Sequence, residues 1–144
     1  MNEEQNARAL RPALLVVGTI FVFGGWLLMR IWPSGWQWQP GQPEYEQMFQ
    51  GVYATLGIFL ILAARAPHEH RSLILFTAWS SLVHAGIMAV QALRDTAERG
   101  HLVGDVPALA AVGIVLLVLA PEAISPPASE QRGTDRRELD PQRA

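Results

Sequence analysis

His84 is the residue whose type and position could most directly do chemistry, because it lies in the middle of a long apolar segment. Residues 72–93 contain no Asp, Glu, Lys or Arg. As a helix rising about 1.5 Å per residue, they can cross about 30 Å of hydrocarbon. His84 then lies near the middle of the bilayer, where an ionisable side chain faces protein or water and not lipid. We therefore expect His84 to point into a helical bundle.

Other polar side chains share the helix face that carries His84. Successive residues turn by about 100°, so the same stripe holds Thr77, Ser80, Ser81 and Gln91. A second polar stripe, on the preceding apolar segment, holds Gln50 and Tyr53. Because the two segments run in opposite directions, equal depth places Tyr53 beside His84. We expect a hydrogen bond between these two side chains.

Depth matching also predicts how the two segments pack. Gln91 lies at the depth of Gln50, so these two amides are expected to be neighbours. Gly57 lies at the depth of Ser80 and Ser81, where its missing side chain would let the two helices approach closely. The interior of the bundle is therefore predicted between these two polar faces.

Two interpretations of the polar stripe remain open. In one, His84, Tyr53 and the hydroxyl groups form a proton relay, a ligand pocket or a cofactor site. In the other, they only hold helices together, through hydrogen bonds that contribute about 0.6 to 2 kcal/mol each. Haem ligation by His84 would need a second chain or a methionine, since His68, His70 and His101 are predicted in loops at the membrane interfaces.

Composition and motif content exclude several classes of function. The chain has 144 residues, no cysteine, no lysine and a formal net charge of −2. It therefore has no thiol chemistry and no cationic surface of the kind that attracts nucleic acid. Phosphate-cradling glycine loops, nucleophile elbows and zinc-protease motifs are absent from the sequence. We expect a protein that is not an enzyme, with no metal site and no cofactor.

The elements that must position these residues are four apolar segments. Each is long enough, or nearly long enough, to cross a membrane as a helix, and together they cover residues 12–32, 46–64, 72–93 and 105–120. Asp105 is expected to cap the fourth helix. The fourth is short, so to span it must be untilted, extend back through residues 102–103 or lie in locally thinned bilayer. Residues 122–144 are rich in polar residues and proline, which is typical of a disordered tail.

The arginines predict the orientation of the four segments. With a cytoplasmic N-terminus, eight arginines fall on the inner side and only Arg30, Arg94 and Arg99 fall on the outer side. Arginine is enriched in cytoplasmic segments. The predicted fold is therefore an all-α polytopic membrane protein, a bundle of four transmembrane helices with both termini in the cytoplasm.

Four short segments carry a resemblance to a known family. They are YATLGIF at 53–59, HRSLI at 70–74, FTAWSS at 76–81 and HAGIMAVQA at 84–92. This central part, 53–92, resembles a family of small bacterial four-helix integral membrane proteins of unknown function. The resemblance implies a small protein of the bacterial inner membrane, and it implies no activity, ligand or catalytic residue.

From these observations we expect a non-catalytic membrane component that is an accessory subunit or associates with itself. Its expected partners are the lipid bilayer and either a second copy or another membrane subunit. One alternative is a small transporter or proton-coupled permeation unit that uses the His84 stripe. A third is a haem-bearing or redox subunit of a membrane complex.

Overall fold

The computed structural model describes residues 3–38 and 41–121, and within these residues all regular structure is helical. Four helices are long and apolar enough to span a membrane. The helices are α1 at Glu3–Thr19, α2 at Gly25–Ile31, α3 at Pro43–Ala63, α4 at Arg71–Arg94 and α5 at Asp105–Leu119. A π-helical segment, Ile20–Gly24, joins α1 to α2 without a break, so these three form the first candidate span.

The first helix begins at Glu3, so the predicted start at Pro12 was wrong. Residues 3–11 consist mainly of strong helix formers, and Leu10 is buried against the other helices, so the helix continues through this polar stretch. Pro12 lies inside α1, where it removes one backbone hydrogen bond. Proline therefore does not mark the helix start here.

The other three helices lie within a few residues of their predicted positions. A short 3-10 segment, Pro67–His70, precedes α4, and another, Thr96–Leu102, precedes α5. The second of these lengthens the fourth candidate span to Thr96–Leu119. The fourth span is therefore longer than the segment predicted from the sequence. The predicted disordered tail, 122–144, lies outside the described residues.

The helices pack in two pairs. α1 packs against α3, α4 packs most extensively against α5, and α3 has few contacts with α4. In the first pair a Cβ added at Gly57 would lie 2.5 Å from the carbonyl oxygen of Gly18. In the second pair a Cβ at Gly113 would lie 2.8 Å from the carbonyl oxygen of Ala78. Small residues thus set the closest approach in both pairs.

This pairing corrects the predicted position of Gly57. Gly57 lies against Gly18 of α1 and not beside Ser80 and Ser81 of α4. Depth along the membrane normal is a property of each helix alone, and it does not determine which neighbour lies on a given side. The close contact between Gly18 and Gly57 makes α1 the neighbour of α3.

The two ends of the bundle differ in character. At the end where α1 begins, large apolar side chains are almost fully buried: Leu10, Leu14, Leu60, Ile74 and Leu116. We call this the packed end. There the Arg71 Nε donates a hydrogen bond of 2.8 Å to the carbonyl oxygen of Pro121, which ties α4 to the end of α5.

At the other end, which we call the tryptophan end, two loops dock on each other. Trp36 and Trp38 follow the short helical turn Pro33–Gly35, and that turn packs against the segment Thr96–Leu102. A Cβ at Gly100 would overlap the carbonyl oxygen of Ser34. Because only a glycine permits this approach, the sequence allows the two loops to form one layer over the helix ends.

Candidate ligand-binding site

A cavity of about 120 Å³ lies between all four spans near the tryptophan end. The π-helical segment contributes Phe21 to its wall, α3 contributes Tyr53, α4 contributes His84, and α5 contributes Asp105. Trp36 lines it from the loop layer. π-helical turns inside α-helices are frequent at functional sites, and here one forms part of a cavity wall.

Tyr53 and His84 form the centre of an aromatic cluster at this cavity. The Tyr53 Oη lies 3.2 Å from the His84 Nδ1, which is the hydrogen bond that depth matching predicted. The ring of Phe21 packs edge-on against Tyr53 with centroids 4.9 Å apart. Phe49 contacts both Tyr53, at 4.9 Å, and His84, at 5.0 Å. These contacts hold the two polar side chains in place at a point where α3 and α4 otherwise barely touch.

A buried cluster of ionisable side chains lies next to the cavity, under the loop layer. The His101 Nδ1 lies 2.9 Å from the Asp105 Oδ2, and its Nε2 lies 3.0 Å from the Glu98 Oε2. His101 is 1% exposed, Glu98 5% and Asp105 7%. The contact with Asp105 is a hydrogen bond, whereas the contact with Glu98 has an ion-pair distance without hydrogen-bond geometry. One imidazole ring therefore stands between two carboxylates.

Two polar atoms at the cavity are buried without a hydrogen-bond partner. They are the Trp36 Nε1, which is a donor, and the Asp105 Oδ1, which is an acceptor. Both residues line the cavity. Both atoms are covered by protein, so they mark a polar part of the cavity wall that lies just behind its surface.

The predicted polar cluster is only partly brought together. His84 and Tyr53 meet, and Gln50 also lines the cavity, where its Nε2 contacts the Met29 Sδ at 2.7 Å. Gln91 is exposed and is not among the residues that line the cavity. It therefore does not join the cluster, because α4 packs mainly on α5 and has few contacts with α3.

The three hydroxyl residues of the stripe lie elsewhere. Thr77 donates to the carbonyl oxygen of Leu73 at 2.9 Å, and Ser80 donates to that of Thr77 at 3.2 Å. Ser81 is buried, and none of the three lines the cavity. Thr77 and Ser80 thus bond to carbonyl groups of their own helix, as hydroxyl residues in membrane helices commonly do. They do not extend a polar path from His84.

The Glu98, His101 and Asp105 cluster was missed, and two predictions about it were wrong. His101 was placed in an interface loop, yet it is buried in a helical turn. Asp105 was expected to cap the fourth helix, yet α5 begins at Asp105 with Gly104 as its capping residue, and the Asp105 carboxylate faces His101. The i, i+3 and i, i+4 spacing of the cluster was a usable signal, because it places all three on one helical face.

This cluster has the geometry of an ion pair and not of a metal site. Its two ring nitrogens point to different carboxylates, so the three groups do not converge on one point. In the part of the chain that the structure describes, no group of three His, Asp or Glu residues could hold a metal ion. The cavity is also smaller than a haem macrocycle, and no observation favours the haem alternative.

Comparison with known proteins gives a family and nothing beyond it. The model of DUF6632, described as a family of unknown function, matches residues 5–138. Neither a search of the curated proteins nor a search of the solved structures gave a match. The matched range includes all of the cavity and the buried cluster.

Proposed function

We propose that this chain, which belongs to the DUF6632 family of unknown function, is a non-catalytic multi-pass membrane protein that binds a small molecule. The binding site is the cavity that Trp36, Tyr53, His84 and Asp105 line at the tryptophan end. The observation that carries this proposal is a cavity between all four candidate spans whose mainly apolar lining includes the polar side chains of Tyr53, His84 and Asp105. Apolar walls with a few convergent polar groups are typical of ligand sites.

The cavity's position on the bundle supports binding over permeation. It lies near one end only, while Leu14, Leu60 and Leu116 fill the core at the packed end with no exposed surface. A path across the bundle would require these side chains to separate, and close-packed interiors resist such separation. The ionisable Tyr53 and His84 at the cavity keep a proton-coupled transporter as the alternative, but the packed end gives it no route.

We also propose that the chain lies in the bacterial inner membrane with both termini in the cytoplasm. The distribution of arginines supports this orientation, since eight of eleven fall on the inner side. The tryptophan end then faces outwards, and Trp32, Trp36 and Trp38 lie where indole rings favour the interface. Reporter fusions are expected to show a cytoplasmic C-terminus and an external loop at position 41. An external C-terminus would contradict the proposed orientation.

Filling the cavity tests the proposed function. We expect Ala108→Phe to abolish binding of small probes, because Ala108 lines the cavity and a phenyl ring would occupy it. The probes are tert-butanol and the tert-butylammonium ion, which share one shape and are about as large as benzene. A cavity of about 150 Å³ accepts benzene. Binding is measured by saturation-transfer NMR on the full chain in lipid nanodiscs.

The matched control is Ala111→Phe, an exposed position on the same helix that does not line the cavity. It adds the same side chain to α5, so lipid partitioning of the probes is unchanged. At least one probe is expected to bind both the wild type and Ala111→Phe. The same probe is expected not to bind Ala108→Phe. If neither probe distinguishes the wild type from Ala108→Phe, the proposed function is wrong.

A further inference from the structure

We propose that the natural occupant of this cavity is an organic ammonium ion, a small protonated amine. This inference rests on the proposed function and specifies the chemical class of its ligand. It is carried by a cavity that combines aromatic walls with the carboxylate of Asp105.

The walls of the cavity are unusually aromatic for their size. Six aromatic side chains line it: Phe21, Trp26, Trp36, Trp38, Phe49 and Tyr53. The faces of such rings attract cations, and aromatic cages are the usual way in which proteins recognise alkylated ammonium groups. One ring of this set already binds a cation, since the Arg30 guanidinium lies 4.3 Å from the centroid of the Trp26 ring.

Asp105 supplies a carboxylate for the ammonium group. Its Oδ2 accepts a hydrogen bond from His101, while its Oδ1 is buried and makes no hydrogen bond of good geometry with a described residue. The one positive charge that His101 can carry is shared with Glu98. The Asp105 side chain lines the cavity and is only 10% exposed, so an ammonium ion in the cavity would lie beside a carboxylate that water reaches poorly. Charge-assisted hydrogen bonds of this kind are among the stronger ones.

The residues around the cavity disfavour an anion. No arginine lines it, and the chain has no lysine. A neighbouring groove shares Met29, Trp38, Phe49 and His84 with the cavity, and Glu46 lines that groove. No described residue forms an ion pair with Glu46. A carboxylate beside the cavity attracts cations and repels anions.

A comparison of two isosteric probes tests the charge directly. The tert-butylammonium ion and tert-butanol differ only in replacing an ammonium group by a hydroxyl group. We expect the wild type to bind the ammonium ion about tenfold to a hundredfold more tightly than the alcohol, from cation–π attraction together with the carboxylate contact. Dissociation constants are measured by NMR titration of the full chain in neutral nanodiscs, with Ala108→Phe as the reference for lipid partitioning.

A second comparison locates the preference at Asp105. In Asp105→Asn the ammonium ion is expected to lose about tenfold or more in affinity, while tert-butanol, which carries no charge, loses less and still binds. Binding of tert-butanol shows that the variant keeps its cavity. Should this variant fail to fold, Glu46→Gln in the adjacent groove serves instead, with a smaller loss expected for the cation alone.

The outcomes separate the two proposals. Preferential binding of the ammonium ion, lost in Asp105→Asn, supports both. Equal binding of the two probes to the wild type overturns the ammonium assignment and leaves the proposed function standing. Tighter binding of tert-butanol than of the ammonium ion also overturns the ammonium assignment and leaves the proposed function standing. Absence of binding by either probe overturns both, and the unpartnered atoms are then satisfied by water.

Discussion

Replacing His101 with leucine is expected to lower the free energy of unfolding by about 3 to 5 kcal/mol. The imidazole ring lies 2.9 Å from one carboxylate and 3.0 Å from another, at a site that is 1% exposed. Leucine keeps much of the volume but leaves Glu98 and Asp105 without this partner. Removing one member of a buried ionic cluster leaves uncompensated charge, which costs more than the interaction itself contributed.

Thermal denaturation of the purified chain in detergent measures this effect. The control is His68→Leu, because His68 is exposed in the turn Pro67–His70 at the packed end. That substitution is expected to change stability by no more than about 0.5 kcal/mol. Equal loss of stability in the two variants would contradict the buried cluster.

A double variant distinguishes lost charge pairing from lost packing. Asp105→Asn in the His101→Leu background replaces a carboxylate that has lost its His101 partner with a neutral amide. If charge is the cause, the double variant is more stable than His101→Leu alone, and the coupling between the two sites is large. If packing is the cause, the two substitutions destabilise independently and their effects add.

Replacing Gly100 with alanine is expected to separate the two loops at the tryptophan end. The added methyl group would overlap the backbone carbonyl oxygen of Ser34, and neither backbone can yield without moving its loop. Forcing atoms into a close-packed contact costs about 1 to 3 kcal/mol. Since Trp36 and Trp38 lie beside that contact, we also expect weaker probe binding and a red shift of tryptophan fluorescence.

Gly86→Ala is the matched control for this substitution. Gly86 lies in α4, and a Cβ there would meet no atom within 4 Å. Alanine at a helical position is favoured over glycine by about 0.5 to 1 kcal/mol. The control is therefore expected to be neutral or stabilising, with unchanged fluorescence. A Gly100→Ala protein as stable as Gly86→Ala would mean that the two loops do not dock as described.

Hydropathy alone was sufficient to predict the four candidate spans. A helix that crosses a membrane needs a long apolar run of residues. Such a run is a local property of the sequence and does not depend on how the helices are arranged. Three of the four helices accordingly lie close to their predicted positions. The first helix extends to Glu3 because helix propensity and the burial of Leu10 act on residues that hydropathy classes as polar.

The sequence also determined one contact of the site. The depth of Tyr53 and His84 follows from the rise per residue, and two residues at equal depth with inward-facing side chains can meet across the bundle. Their hydrogen bond is present at 3.2 Å. Depth did not determine the neighbours of Gly57 or Gln91, because many pairings of four helices preserve the same depths.

Only the tertiary structure decided which residues surround the cavity. α3 packs on α1 through Gly18 and Gly57, which leaves a gap against α4 that the aromatic cluster and the loop layer enclose. The glycine contacts and the docking of the two loops depend on the shapes of surfaces that are distant in sequence. The residue pattern within one segment therefore does not predict them. For the same reason Asp105, assigned from sequence to a helix cap, lines the proposed binding site, and His101, assigned to a loop, is buried beside it.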